Sequence, residues 1–185
     1  MMKLKGKRVA LLVEDLYQEM EVWYPLYRLK EEGADITVIG TTDVHKSKLG
    51  YPVKVDLRAD RARAADFDIV IIPGGYAPDR MRRHRAMIDF VRQAHQQGKI
   101  VAAICHGLWL AISAGILRGK TVTGFFSIKD DIVNAGATYV DEPVVTDGRL
   151  ITSRVPDDLP AFCREIIAAA AGEETSARET STSSR

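Results

Sequence analysis

Arg8–Val13 (RVALLV) is a nearly unbroken apolar run, the pattern of a strand buried on both faces. From Gln18 to Glu32 the spacing becomes helical. Met20, Trp23, Tyr24, Tyr27 and Leu29 place apolar mass along one side, and Gly33 supplies the stop. Asp35–Gly40 (DITVIG) is rich in β-branched residues and predicts a second strand, so the three segments read as a right-handed βαβ unit. Residues 41–66 are more polar, and alternation at Val53, Val55 and Leu57 predicts a short strand pair with a turn. The order then repeats. A strand at Asp68–Pro73 ends at Gly74-Gly75, a helix covers Arg85–Gln97, and a strand at Lys99–Ile104 runs into Cys105-His106-Gly107 and a helix over Leu108–Ala114. Strand-like stretches recur near Val122 and Tyr139, and at Val144-Val145 and Leu150-Ile151 around Asp147-Gly148, a two-residue hairpin signal. A helix over Leu159–Ala170 follows. No internal repeat is present. The pattern predicts an α/β fold, a three-layer sandwich with a mostly parallel sheet and helices on both faces.

Composition narrows the function classes. A chain of 185 residues, 46% hydrophobic and 28% charged, suits one globular domain with a continuous core, here residues 1–171. Residues 172–185 (GEETSARETSTSSR) are polar and without large apolar side chains, and are expected to be a disordered tail. The net charge of +1, from 26 basic and 25 acidic residues, gives no footprint for nucleic acid or an anionic membrane. No run of about 18 apolar residues exists to span a bilayer, and the charges at Glu14-Asp15 interrupt any signal-peptide core. Two cysteines, Cys105 and Cys163, are too few for a disulfide scaffold and fit a reducing cytoplasm.

In an open parallel sheet, ligands gather beyond the carboxyl ends of the strands. Cys105 stands at such an end, in a tight strand-to-helix turn beside Gly107, as in a nucleophile elbow. A thiolate there faces the positive end of the next helix, which lowers its pKa. The amides of His106 and of Gly74-Gly75 are candidate oxyanion donors. His106 is a candidate general base for the thiol, or a capping histidine. Glu21, near the start of the first helix, either tunes the sulfur or is a solvated helix charge. Asp79, in GGYAPDR, reads equally as a helix cap or as an ion-pair partner of a nearby arginine. Cys163 reads as a core residue of the last helix, and His45, His84 and His95 as solvated surface residues.

Seven segments carry a family pattern: YPLYRLKEEG (24–33), YPVKVDL (51–57), IIPGGYAPDR (71–80), AAICHG (102–107), SAGILRG (113–119), IKDDIVNAGA (128–137) and TSRVPDDLPAF (152–162). The chain resembles the PfpI family of the class I glutamine amidotransferase-like superfamily. That resemblance implies a flavodoxin-like sandwich with Cys105 at the elbow, His106 as the family's histidine and Glu21 as its cysteine-facing glutamate. It implies no cofactor and no metal. It also implies a homo-oligomer, a dimer or hexamer, in which a neighbouring subunit's carboxylate completes the Cys–His pair. Asp79 occupies that position, one methylene shorter than the family's glutamate. Phe125 stands where PfpI-type sites carry tyrosine, and Leu108-Trp109 where they carry proline, so both bear on the pocket wall.

The implied activity is a cysteine-nucleophile hydrolase or lyase acting on peptides, or on small reactive carbonyls and glycation adducts, as an intracellular protease, deglycase or glutathione-independent glyoxalase. A different class is a redox-responsive stress protein whose Cys105 is oxidised to sulfinate without turnover. An amidotransferase subunit fits less well, because no histidine follows His106.

Overall fold

The computed structural model describes residues 2–172, and the expected tail lies outside them apart from Gly172. Along the chain run β1 (Arg8–Leu12), α1 (Glu19–Glu31), β2 (Asp35–Gly40), β3 (Val44–Lys46), β4 (Pro52–Lys54), β5 (Leu57–Arg58), β6 (Ile69–Ile72), α2 (Ala77–Met81) and α3 (Arg85–Gln96). Then follow β7 (Ile100–Ile104), α4 (Leu108–Ala114), β8 (Thr121–Val122), α5 (Lys129–Asn134), β9 (Thr138–Tyr139), β10 (Val144–Asp147), β11 (Leu150–Ser153) and α6 (Leu159–Ala171).

Seven strands form one sheet in the order β10-β11-β7-β6-β1-β2-β5. Every neighbouring pair is parallel except β10 with β11. Helices α1 and α6 pack on each other, while α3 and α4 form a second layer joined by α2 and α5. This is the α/β, flavodoxin-like sandwich the sequence predicts. The apolar runs sit where periodicity puts them: β6 and β7 are buried along their whole length. Truncating one of those isoleucines to alanine should cost on the order of 2–5 kcal/mol, from lost transfer energy and the cavity left behind.

The strand order reverses between β1 and β6, so the chain leaves β1 toward one helical layer and β6 toward the other. A crevice opens at such a point, beyond the carboxyl ends of the strands. The loops after β1, β6 and β7 all meet there.

Three expectations change. The buried face of α1 is Glu21, Val22, Pro25 and Leu29, whereas Met20 is 54% and Tyr27 62% exposed. A carboxylate thus shares the core stripe, and aromatic residues face outward. His45 is fully buried rather than solvated, because its ring nitrogens are satisfied internally. The hairpin turn is Gly148-Arg149, one residue later than the Asp-Gly reading, with Asp147 still paired to Leu150. Gly148 takes φ 64°, which a hairpin turn of the primed kind needs at its first position.

Candidate active site

Strand β7 delivers Cys105 into a single turn of 3-10 helix, Cys105–Gly107, that leads into α4. Cys105 has φ 60°, a left-handed conformation that a non-glycine residue adopts only where its surroundings enforce it. Two glycines do so. A Cβ on Gly107 would strike the Ile72 carbonyl, and one on Gly74 would stand 2.6 Å from Glu21 Oε2 and 2.7 Å from the Cys105 Cβ. The elbow is therefore wedged between the ends of β6 and β7.

The thiol Sγ lies 3.2 Å from Nδ1 of His106. Phe125 packs on the His106 ring at 4.8 Å between centroids, and Trp109 meets its edge at 4.9 Å. Trp109 Nε1 donates to Asp131 Oδ2 at 2.8 Å, so this indole backs the imidazole, whereas Phe125 lines the cavity itself. Burial, followed by the positive charge of Lys48, holds the His106 pKa below its usual value, and the ring is neutral near pH 7. Ser127 Oγ stands 3.5 Å from Nε2.

Beneath the sulfur sits Glu21, fully buried. Its Oε2 accepts the Gly74 amide at 2.6 Å, so that N–H is engaged by the carboxyl rather than aimed at an oxyanion. Oε1 is buried without a hydrogen-bond partner, and the carboxyl interacts with the Cys105 thiol. Burial raises the Glu21 pKa to about 7, against the lowering effect of the Gly74 amide, the thiol and Lys48. The Cys105 thiol, 6% exposed, is pushed up to about 12 by burial and by the Glu21 charge, against the amides of His106 and Gly75.

The expected drop in the thiol pKa is thus reversed. Helix α4 is only seven residues long and starts after an intervening turn, so its dipole is outweighed. Glu21 gives up its proton first, near 7, and the thiol holds its own to about 12, because it is buried and because ionising it would place two negative charges side by side. His106 Nδ1, at 3.2 Å, is placed to take that proton as the sulfur attacks. The ionised sulfur would then face the amides of His106 and Gly75.

The cavity above holds ≈ 430 Å³ and is walled by Gln18, Lys48, Tyr76, Phe125, Ser127 and Pro156. Gln18, Lys48 and Ser127 carry no signal in the periodicity: they lie at a helix cap, in a loop and in a single 3-10 turn, and only the fold brings them to one crevice. Asp79 is not in this wall. It forms an ion pair with Arg83 on the half-exposed surface of α2, one of the two arginines that its ion-pair reading allows. Cys163 is buried within α6, away from the crevice lining.

Among the described residues, one group could hold a cation: Glu14, Asp15 and His45. His45 Nε2 accepts the amides of Thr41 and Thr42 at 3.1 and 3.2 Å, so its proton sits on Nδ1, between Glu14 at 3.2 Å and Asp15 at 3.3 Å. A metal at Nδ1 would have to displace that proton. The group is better described as a hydrogen-bonded tie.

The sequence pattern of the DJ-1/PfpI family matches residues 7–169. The chain belongs to that family. It is similar to "Deglycase PfpI" from Pyrococcus furiosus, with 40% identity over 161 residues, covering 86% of this chain and 97% of that protein. It is also similar to "General stress protein 18" from Bacillus subtilis, with 41% identity over 169 residues, 88% of this chain and 97% of the other. Among solved structures, DJ-1beta from Drosophila melanogaster superposes with a TM-score of 0.84 at 30% identity, covering 90% and 91% of the two chains. Membership accounts for the elbow on the strand-to-helix turn. No helix among the described residues is long and apolar enough to cross a membrane.

Proposed function

We propose that this DJ-1/PfpI family member is a cysteine-dependent enzyme acting on small reactive carbonyls and glycation adducts. The observation that carries the reading is the 3.2 Å contact of Cys105 Sγ with His106 Nδ1 above the fully buried Glu21 carboxyl. The relative named a deglycase supports the same class, and a cavity of ≈ 430 Å³ suits a small ligand better than a peptide.

For a 2-oxo aldehyde the steps balance as follows. The thiolate adds to the aldehyde carbon, an S–C bond forms, and the carbonyl oxygen takes a proton to give a hemithioacetal. His106, neutral and within reach, removes the C–H proton and returns it to the neighbouring carbon, turning the adduct into a thioester of a 2-hydroxy acid. Water then cleaves the S–C bond, releasing the acid and the thiol. The amides of Gly75 and His106 bond the sulfur and favour its charged form at the start and end of the cycle. Turnover of methylglyoxal, measured beside a panel of fluorogenic peptides, tests this. The dicarbonyl should be consumed by the wild type, and Cys105→Ser should lose at least about 10³-fold. Peptide cleavage without dicarbonyl turnover would favour the protease reading.

A redox role is supported by the same pair, since a carboxyl that keeps its proton near pH 7 can donate to an oxidised sulfur. We propose further that the protein is a cytoplasmic homo-oligomer. Met20, Tyr27, Leu49, Tyr51 and Tyr76 are all more than half exposed and run from α1 across residues 49–51 to the mouth of the site, the composition of an interface core. In such an assembly Asp79 would leave Arg83 to approach a neighbour's His106.

A further inference from the structure

Lys48 has no task in the chemistry above, yet it stands in the wall of the cavity. Its main chain is firmly held. Its amide donates to the Tyr17 carbonyl at 3.0 Å, and the adjoining Ser47, itself buried, accepts the amides of Leu49 and Tyr51 on Oγ at 3.2 and 2.8 Å. Glu19 Oε1 takes the Leu49 amide as well, at 2.8 Å. The loop thus presents residue 48 at a fixed place on the rim.

The side chain is not committed to a carboxylate. Nζ lies 5.7 Å from the centroid of the Tyr76 ring, and among the described residues no ion pair includes it. Its charge is felt by Glu19 at the rim and by Glu21 and His106 on the floor. The other polar wall groups are donors too. Gln18 Oε1 accepts the Met20 amide at 2.7 Å, which leaves its NH₂ free to donate, and Ser127 offers a hydroxyl. The single carboxyl in the lining, Glu21, is already bonded to Gly74. The cavity rim thus carries one cation, two neutral donors and aromatic walls, while the one acid, Glu21, lies on the floor beneath the sulfur; that division of charge suits a compact anion seated at the rim.

We propose that Lys48 is a specificity-determining residue that pairs with a carboxylate on the substrate, so that the site prefers small carbonyl electrophiles that carry a carboxylate over neutral ones. This rests on the reading of Cys105 as nucleophile. Lys48 orients such a molecule with its carboxylate at the rim and its carbonyl carbon over the sulfur. Being partly solvated, the pairing weakens with salt.

The test compares alkylation of Cys105 by iodoacetate and iodoacetamide, followed by mass spectrometry of the Cys105 peptide. In both reagents the thiolate displaces iodide, an S–C bond forming as the C–I bond breaks, so their rate ratio cancels the thiolate fraction and isolates the charge. Lys48→Gln, on an exposed loop, should lower the iodoacetate-to-iodoacetamide ratio about tenfold, equivalent to 1.4 kcal/mol. Lys48→Arg should keep most of it, and raising salt to about 0.5 M should lower the wild-type ratio toward that of the glutamine variant. An unchanged ratio in Lys48→Gln, with Cys105 still alkylated, would overturn this inference and leave the proposed function standing. Failure of both reagents to modify Cys105 would overturn the two together.

Discussion

At the scale of single residues, the Glu21 charge beneath Cys105 decides how the site behaves with pH. Above about 7 Glu21 is ionised, and the thiol, raised first by burial and then by that charge, keeps its proton to about 12. The iodoacetamide rate at Cys105 should therefore still be climbing at pH 9, with no plateau reached. In Glu21→Gln the charge is gone, and the thiol, still raised by burial, should titrate a unit or more lower. That variant should react about tenfold faster at pH 8. A profile that is the same in both proteins would separate Glu21 from the sulfur. Cys105 and His106 were legible in the sequence, because an apolar run ending in Cys-His-Gly before a second apolar run marks a strand end at a helix start. The role of Glu21 came from the resemblance. By spacing alone it is a first-turn helix acid, and only packing reveals that its stripe, shared with Val22, Pro25 and Leu29, is the one that enters the core.

At the scale of elements, long apolar periods were read to within a residue or two, while short pieces were not. Helices α2 and α5 have five and six residues, too few to show a period, and their formation depends on tertiary contacts. The aromatic face of α1 misled the assignment of its core side, because exposed aromatics and buried ones have the same spacing. His45 was missed for a related reason: its polar neighbours are its hydrogen-bond partners, not a sign of solvent. They tie the end of β1 to the turn after β2. Glu14 accepts from His45, Thr41 and the Asp15 amide, and although burial opposes it, these hold its pKa at about 2. A depressed carboxyl contributes stability that is fully present above its unfolded value near 4.5 and is lost as pH falls toward 2. Glu14→Gln should thus lower stability by up to about 3 kcal/mol at pH 7 in urea melts, and the gap from wild type should close between pH 4.5 and 2. A gap that is constant with pH would assign the effect to packing.

At the scale of the whole molecule, the sequence pattern supplied the sheet, and so the edge where a site belongs, but no surface for self-association. Light scattering should report a mass above the 20.5 kDa of one chain. Tyr27→Glu, which sets a charge in the exposed aromatic row, should shift the protein toward monomer while leaving its circular dichroism unchanged. If the monomer keeps full turnover, Asp79 has no part in a neighbour's site; a loss in step with dissociation, matched by Asp79→Asn in the intact oligomer, would assign it one.

The left-handed backbone at Cys105 has a bearing on how this lineage can change. Glycine rests in that conformation at no steric cost, whereas cysteine holds it at a cost of order 1 kcal/mol. A descendant released from its chemistry would drift toward glycine or asparagine at this position and gain thermal tolerance by doing so. In that sense the strained angle has a cost that can be read: Cys105→Gly should raise the melting temperature while removing the thiol.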